Sequence, residues 1–244
     1  MADVLIIMPA YNEAEVIAET LSGLFAYGFD VLVVDDGSED TTEEIAARAG
    51  ARTLRLSTNL NYGGALQAGF RFALRYTGAS YLLTFDADGQ HDPAQVEALV
   101  RPLREGLADY VIGSRYLAPE VRGDSFYRDL GIRIFSRATS LAVGRKITDP
   151  TSGMVAMTRE VARVFMSDLF PQDYPDADVI VMLSRMGFRI RELPVTVQSR
   201  RSGVSMHTGL LRPLYYIAKM SVSMLHLATR GDLIEKRKEA RIAS

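Results

Sequence analysis

Between residues 4 and 113 the chain repeats one alternation: a short apolar run, a polar cluster, then a segment with helical spacing. The apolar runs are Val4-Leu5-Ile6-Ile7-Met8, Val31-Leu32-Val33-Val34, Tyr81 to Phe85 and Asp109 to Gly113, with Arg52 to Leu56 as a further short strand that is not apolar throughout. Continuous apolar runs without polar alternation are strands covered on both faces, as in parallel sheets. The alternation predicts an α/β fold: a Rossmann-like, mostly parallel central sheet flanked by helices, with right-handed crossovers. Ligands of such sheets bind at the carboxyl ends of the strands. The clusters Tyr11/Glu13, Asp35/Asp36, Asn59/Gly63, Asp86/Asp88 and Ser114/Arg115 all follow predicted strands. Turn chemistry accounts for any one of them; five at strand ends point to a site.

The helices carry recognisable signals. Asn12 is expected to cap a first helix with apolar positions Ala14, Ile17, Ala18, Leu21, Leu24 and Phe25, with Glu13 and Glu15 at its positive end. Thr41, Thr42 or Asp40 is expected to cap a second, through Ala49. Asn59-Leu60-Asn61-Tyr62-Gly63-Gly64-Ala65 opens a third, through about Tyr76. Its glycines allow close backbone approach, and its N-terminus attracts phosphate. Pro93 starts a fourth. The second half is less regular. A helical pattern over 124–143 carries Arg128, Arg133 and Arg137, which either meet an acceptor phosphate or form a solvated face. A strand is expected over 154–157, short helices over 159–165 and 179–187, and an alternating strand over 188–197. Without an internal repeat or linker, one domain is favoured: 1–206 as the catalytic unit, and 207–244 as a C-terminal amphipathic helix with a basic tail.

Asp86 and Asp88 leave the fourth strand one residue apart. Like charges that close repel unless a cation or basic group stands between them. A hard divalent cation that keeps waters and bridges substrate phosphates suits them. A solvated Asp-Gly turn is the plainer explanation of these residues alone.

Net charge of −2 argues against general nucleic-acid binding. There is no cysteine, hence no disulfide framework or zinc–thiolate site, which fits the cytosol. No basic leader precedes the first strand, and no uncharged apolar run approaches the roughly 18–20 residues of a spanning helix. From Arg200 onward nine Arg or Lys face three acids, net +6, which leaves −8 for residues 1–199. The apolar stretch Gly209–Thr229 is read as a core helix, a subunit interface or an in-plane membrane helix. The basic tail favours the last, at an anionic bilayer surface.

In order and spacing, Pro9-Ala10-Tyr11-Asn12-Glu13, Asp35-Asp36-Gly37-Ser38 with Asp40, Asp86-Ala87-Asp88, Gly113-Ser114-Arg115 and Asp149-Pro150-Thr151-Ser152-Gly153 resemble a family 2 glycosyltransferase of the GT-A fold. The likeness spans about residues 4–206 and is nearest the dolichyl- or polyprenyl-phosphate sugar transferases and their bacterial polysaccharide relatives. It implies an inverting hexosyl transfer from a GDP-, UDP- or dTDP-sugar with Mg²⁺ or Mn²⁺. It places Pro9, Tyr11 and Glu13 around the nucleoside and Asp36 on the base. Asp86 and Asp88, with Ala87 between them, meet the metal and the nucleotide sugar, with Gln90 as a third metal contributor. Arg115 approaches the donor phosphates or sugar. Gly63 and Arg200 join the donor site, and Arg128 and Ser205 the acceptor site. Two departures stand out. The chain has no Trp, and the region of the family's Gln-X-X-Arg-Trp motif reads Gln198-Ser199-Arg200-Arg201-Ser202-Gly203, which sets processive cellulose- or chitin-type synthesis aside. The spanning helices of membrane-anchored relatives are not in evidence after the catalytic region.

The leading function is sugar transfer to a lipid-linked acceptor in glycan biosynthesis, by a cytoplasmic enzyme peripheral to the membrane face. Its oligomeric state is left open. A soluble hydroxyl acceptor, a nucleotide-sugar-forming nucleotidyltransferase and a non-catalytic scaffold are the alternatives. A nucleotidyltransferase usually shows Gly, Arg and Lys in an N-terminal loop, and residues 8–20 have none. A hydroxyl acceptor needs a general base: Asp178, with Asp176 and Asp149 as rivals. A phosphate acceptor is largely ionised near neutral pH, its second pKa being about 6, and needs arginines more than a base. His91 is read as a surface residue at a helix start in preference to a metal ligand.

Overall fold

A computed structural model describes residues 3–117, 126–173, 175–198, 219, 222, 223, 226, 227 and 229–242, with backbone alone for 126–131 and 239–242. The order is β1 (Val4–Ala10), α1 (Ile17–Ala26), β2 (Asp30–Asp35), α2 (Thr42–Arg48), β3 (Arg52–Arg55), α3 (Asn61–Tyr76) and β4 (Tyr81–Thr84). A short 3₁₀ turn, Pro93–Gln95, leads into α4 (Val96–Arg104) and β5 (Tyr110–Ser114). Then follow α5 (Phe126–Val143), β6 (Val155–Thr158), α6 (Arg159–Val164), α7 (Ala177–Arg185), β7 (Ile190–Pro194) and a C-terminal helix, Leu233–Ile242.

The seven strands form one sheet in the order β3-β2-β1-β4-β6-β5-β7. All pairings are parallel except those of β6, which runs antiparallel to both β4 and β5. The strand expected over 154–157 is therefore wedged into the sheet against the common direction. The order reverses at β1, which pairs with β2 on one side and β4 on the other. Such a switch point opens a crevice outside the strand ends.

The apolar runs are buried because the central strands feed two cores. Leu5, Ile7, Leu32 and Val34 face a cluster with Phe70 of α3, Val161 of α6 and Ile180 of α7. Val4, Ile6, Met8, Val31 and Val33 face the other, with Leu21 of α1 and Leu99 of α4. The period of two within a strand sends neighbours to opposite layers. Leu227 and Leu233 belong to the first core. Arg237 pairs with Glu160 at 2.9 Å and lies over the Phe188 ring at 3.9 Å. For these described residues the C-terminal segment is thus core-forming rather than free. Among the described residues no helix is long and apolar enough to cross a membrane.

Asn12 departs from expectation. α1 begins only at Ile17, without a side-chain cap. Asn12 has φ 56° and its Oδ1 accepts from Glu39 N–H at 2.8 Å. The N–H groups of Asn12, Glu13 and Ala14 donate to Ser38 Oγ, Thr42 Oγ1 and Asp40 Oδ2 at 3.0, 2.8 and 3.2 Å. The loop after β1 is therefore strapped to the loop after β2, each bond contributing about 1 kcal/mol net. Asp40 also accepts from Thr42 N–H at 2.9 Å, opening α2.

Candidate functional site

At the end of β4 the backbone alternates between core and crevice. Phe85 and Ala87 are buried, and the Ala87 carbonyl accepts from Thr20 Oγ1 at 3.1 Å. Asp86, between them, keeps 32% of its side chain exposed. The Tyr62 hydroxyl of α3 donates to its Oδ1 at 3.1 Å, and His91 Nε2 lies 3.4 Å from its Oδ2. Gly153 closes a third side, since a Cβ there would lie 2.2 Å from Oδ2. Thr84 Oγ1 donates to the Gly153 carbonyl at 2.7 Å and fixes that wall. Burial pushes the Asp86 carboxyl up, but His91, Tyr62 and Arg115 outweigh it and hold it below its ordinary value. Burial, then the Asp86 charge, pushes the Tyr62 phenol well up.

Asp88 is nearly buried and its Oδ1 accepts from Gln90 N–H at 3.1 Å. Gln90 donates from Nε2 to the Gln198 carbonyl at 3.0 Å, and its own carbonyl accepts from Gln198 N–H at 2.8 Å. His91 corrects the surface reading given above. It is 9% exposed, its ring edge-on to Phe85, while Asp92 performs the helix-start role by accepting from Ala94 N–H. Among the described residues no group of three or more His, Asp or Glu is arranged to hold a metal by itself.

On the β1–β2 side Pro9 is buried within β1, and Tyr11 projects, 44% exposed. Glu13 is half-buried. Asp35, fully buried, accepts from Ser38 N–H at 3.0 Å and lies 3.2 Å from Arg55, so it closes the turn after β2. Asp36 accepts from Leu60 N–H at 2.7 Å. Burial, with Asp35 next to it, raises its pKa. Gly63 has a nearer partner than a ligand: a Cβ there would lie 2.3 Å from the Pro171 carbonyl. The N–H groups of Gly63 and Gly64 are taken by the carbonyls of Asp173 and Gln172. The glycines let the start of α3 seat on the 171–173 backbone, which sets Tyr62 beside Asp86.

The loop after α5 is latched to the end of β5. Arg115 grips Asp149 through Nε and Nη2 at 2.7 and 2.8 Å, and reaches Thr151 Oγ1 at 3.0 Å. Asp149 is fully buried. Ser114 Oγ meets Thr148 Oγ1 at 2.6 Å, and Ser152 Oγ donates to the Gly113 carbonyl at 2.6 Å. This loop delivers Gly153 to Asp86. Asp178, in the first turn of α7, is 2% exposed and accepts from Ser223 Oγ at 2.8 Å and Val179 N–H at 2.9 Å. Burial raises its pKa against those bonds. Arg200 and Ser205 lie outside the described residues, as does the Arg128 side chain.

The profile of Glycosyl transferase family 2 matches residues 5–165, the span that carries these loops. The chain is a family 2 glycosyltransferase. It is 35% identical over 219 residues to the undecaprenyl-phosphate mannosyltransferase of Micrococcus luteus, covering 84% of this chain and 88% of that one. It is 30% identical over 217 residues to the UDP-N-acetylglucosamine–dolichyl-phosphate N-acetylglucosaminyltransferase of Methanococcus voltae, covering 80% and 86%. Its fold is that of glucosyl-3-phosphoglycerate synthase from Mycobacterium tuberculosis, solved with Mn²⁺, UDP and glucosyl-3-phosphoglycerate. The TM-score is 0.66 at 20% identity, over 93% of this chain and 80% of that chain. The single mixed α/β domain is the GT-A glycosyltransferase fold.

In this glycosyltransferase, tertiary structure brings Asp86, Tyr62, His91 and Gly153 into contact. It also joins Arg115 to Asp149, which had been placed in separate roles. Tyr62 and Gly153 stand in segments the sequence singles out, but neither carries a chemical signature that would assign it a place beside Asp86. His91 had one, its proximity to the acidic pair, and the adjacent Asp-Pro obscured it.

Proposed function

We propose that this glycosyltransferase moves a hexosyl group, with inversion, from a nucleoside-diphosphate sugar held with Mg²⁺ or Mn²⁺ to a lipid-linked acceptor such as a polyprenyl phosphate. The observation that carries the reading is Asp86 itself: a carboxylate clamped on three sides, held ionised and left open to the crevice at the sheet's switch point. The donor set fits a hard cation. Asp86 and Asp88, with Gln90 as a third contributor, offer oxygen ligands too few for a full cage, which leaves positions for phosphate oxygens and water. Bound there, the cation supplies Lewis-acid stabilisation to a departing diphosphate.

This chain's own residues divide the remaining work. Pro9, Tyr11 and Glu13 line the nucleoside side, and Asp36, ordered by Leu60 N–H, faces the base. Arg115 and Asp149 act as one buried pair that positions the 148–153 loop and lends positive charge near Asp86. Arg200 belongs to the donor side, and Arg128 and Ser205 to the acceptor side. Asp178 serves as base for a hydroxyl acceptor; with a phosphate acceptor it is a packing residue. The named relatives support the lipid-linked acceptor. The test pairs a thermal-shift screen of nucleoside diphosphates and their sugars, with and without Mn²⁺, with transfer to a polyprenyl phosphate and to soluble acceptors. The reading expects a Mn²⁺-dependent shift that Asp86→Asn removes, and transfer to the lipid. Donor binding indifferent to both metal and Asp86 would overturn it.

A further inference from the structure

The two sides of α5 have opposite characters. Ile132, Phe135 and Thr139, three and four apart, are buried on the inner side. On the outer side Ile134 is 51% and Leu141 84% exposed, seven residues apart and hence on one stripe. Arg133 and Arg137 flank that stripe, and Arg145 and Lys146 follow the helix end, all four exposed. Their side chains make no hydrogen bond or ion pair with any described residue. No acidic residue occurs from 132 to 148. Some exposed arginines elsewhere are answered, Arg48 by Glu44 and Arg189 by Asp109, while others, Arg71 and Arg101 among them, are not; what marks this face is four such cations within fourteen residues. In a chain of net charge −2, this concentration is local.

A pocket of about 500 Å³ opens on the same face, lined by Arg133, Ser136, Arg137, Ser140, Leu141 and Lys146. Its hydroxyls are already spent: Ser136 Oγ donates to the Ile147 carbonyl at 2.5 Å and Ser140 Oγ to the Ser136 carbonyl at 2.6 Å. The groups left to meet a partner are cations beside exposed aliphatics. That combination lacks the directed hydrogen bonds of a small-molecule site and has the character of a helix lying among headgroups. Its place in the fold agrees. The segments on either side of α5 are joined at the site by Arg115–Asp149 and Ser114–Thr148, and the second continues to Gly153 against Asp86.

We propose that the outer face of α5 docks on the surface of an anionic phospholipid bilayer, setting the crevice beside the headgroups. This rests on the lipid-linked acceptor proposed above, since a phosphate carried on a lipid has to be taken at that plane. It assigns the contact to α5 rather than to the C-terminal helix.

The test is flotation of the full chain with phosphatidylglycerol-containing vesicles and with neutral phosphatidylcholine vesicles, at low and high salt. Each cation near such a surface changes partitioning about fivefold, so Arg133→Ala/Arg137→Ala/Lys146→Ala is expected to lose roughly 100-fold. Leu141→Ser should weaken binding without changing its salt dependence. Lys236→Ala/Lys238→Ala, on the C-terminal helix, should float like wild type. Mn²⁺-dependent donor hydrolysis, measured on the same samples, should be unchanged in all three. Wild-type protein that ignores anionic vesicles, or a triple variant that floats normally, overturns the proposal. So does a triple variant whose change is in oligomeric mass instead, which would make the face an interface between copies. Hydrolysis with no flotation sinks the docking alone; α5-dependent flotation with no hydrolysis sinks the transferase reading alone.

Discussion

The Tyr62 hydroxyl donates a 3.1 Å hydrogen bond to Oδ1 of Asp86, across 24 residues of sequence. A hydrogen bond to a ligating carboxylate fixes its orientation, and loss of such a partner typically costs about 10–100-fold in metal affinity. Tyr62→Phe keeps the ring and removes the donor. It should weaken Mn²⁺ binding, read by electron paramagnetic resonance, by about that factor, with a stability loss near 1 kcal/mol. Unchanged Mn²⁺ affinity in this variant, with Asp86→Asn abolishing it, would show that the phenol only packs.

A side chain at Gly153 would collide with the Asp86 carboxylate. A Cβ there would lie 2.2 Å from Asp86 Oδ2, and the Gly153 carbonyl is held by Thr84, so the Asp86 side chain is the part that must move. Gly153→Ala should cost about 1–3 kcal/mol in urea unfolding, as overpacking does. It should also displace Asp86 and lower donor hydrolysis by more than the stability loss explains. Wild-type hydrolysis in a destabilised variant would separate the packing from the site.

Arg115 and Asp149 stand or fall as a pair. The Asp149 side chain is fully buried and that of Arg115 17% exposed, with bonds of 2.7 and 2.8 Å between them. Removing one partner leaves an uncompensated charge, at about 3–5 kcal/mol. Asp149→Asn should therefore lower the melting temperature markedly. A variant that keeps wild-type stability yet loses activity would instead mark Asp149 as the reacting base.

Asp178 gives a pH signature. Burial raises its folded-state pKa above the ordinary 3.8. The native state then holds more protons than the unfolded one between 3.8 and the raised value, so stability falls as pH rises through that window. In Asp178→Asn this contribution vanishes, and stability to urea should fall less than in wild type as pH rises above the ordinary carboxylate range. Identical slopes would mean that the carboxyl is not desolvated. The same variant should lose transfer to hydroxyl acceptors and retain much of its transfer to a phosphate.

The alternation over residues 4–113 placed five strands and the local patterning of the second half the other two, each to within a few residues, because period and burial are local properties of a strand. The position of Asp86 and Asp88 at a strand end was legible for the same reason, and so was the family. The antiparallel entry of β6 between β4 and β5 was not, since an apolar run carries no sign of direction. Asn12 looked like a cap and became a strap, because three consecutive N–H groups found partners in the second loop.

Which residues arrive at the carboxyl edge of the sheet, and their chemical types, follow from the local pattern of the chain. Their neighbours come from the packing of the folded chain: Tyr62 and Gly153 on Asp86, Asp149 under Arg115, Ser223 on Asp178. Those contacts join residues between 24 and 67 positions apart. They form because sheet order and loop packing bring distant segments together, and neither is encoded in the spacing of residues along one strand or helix.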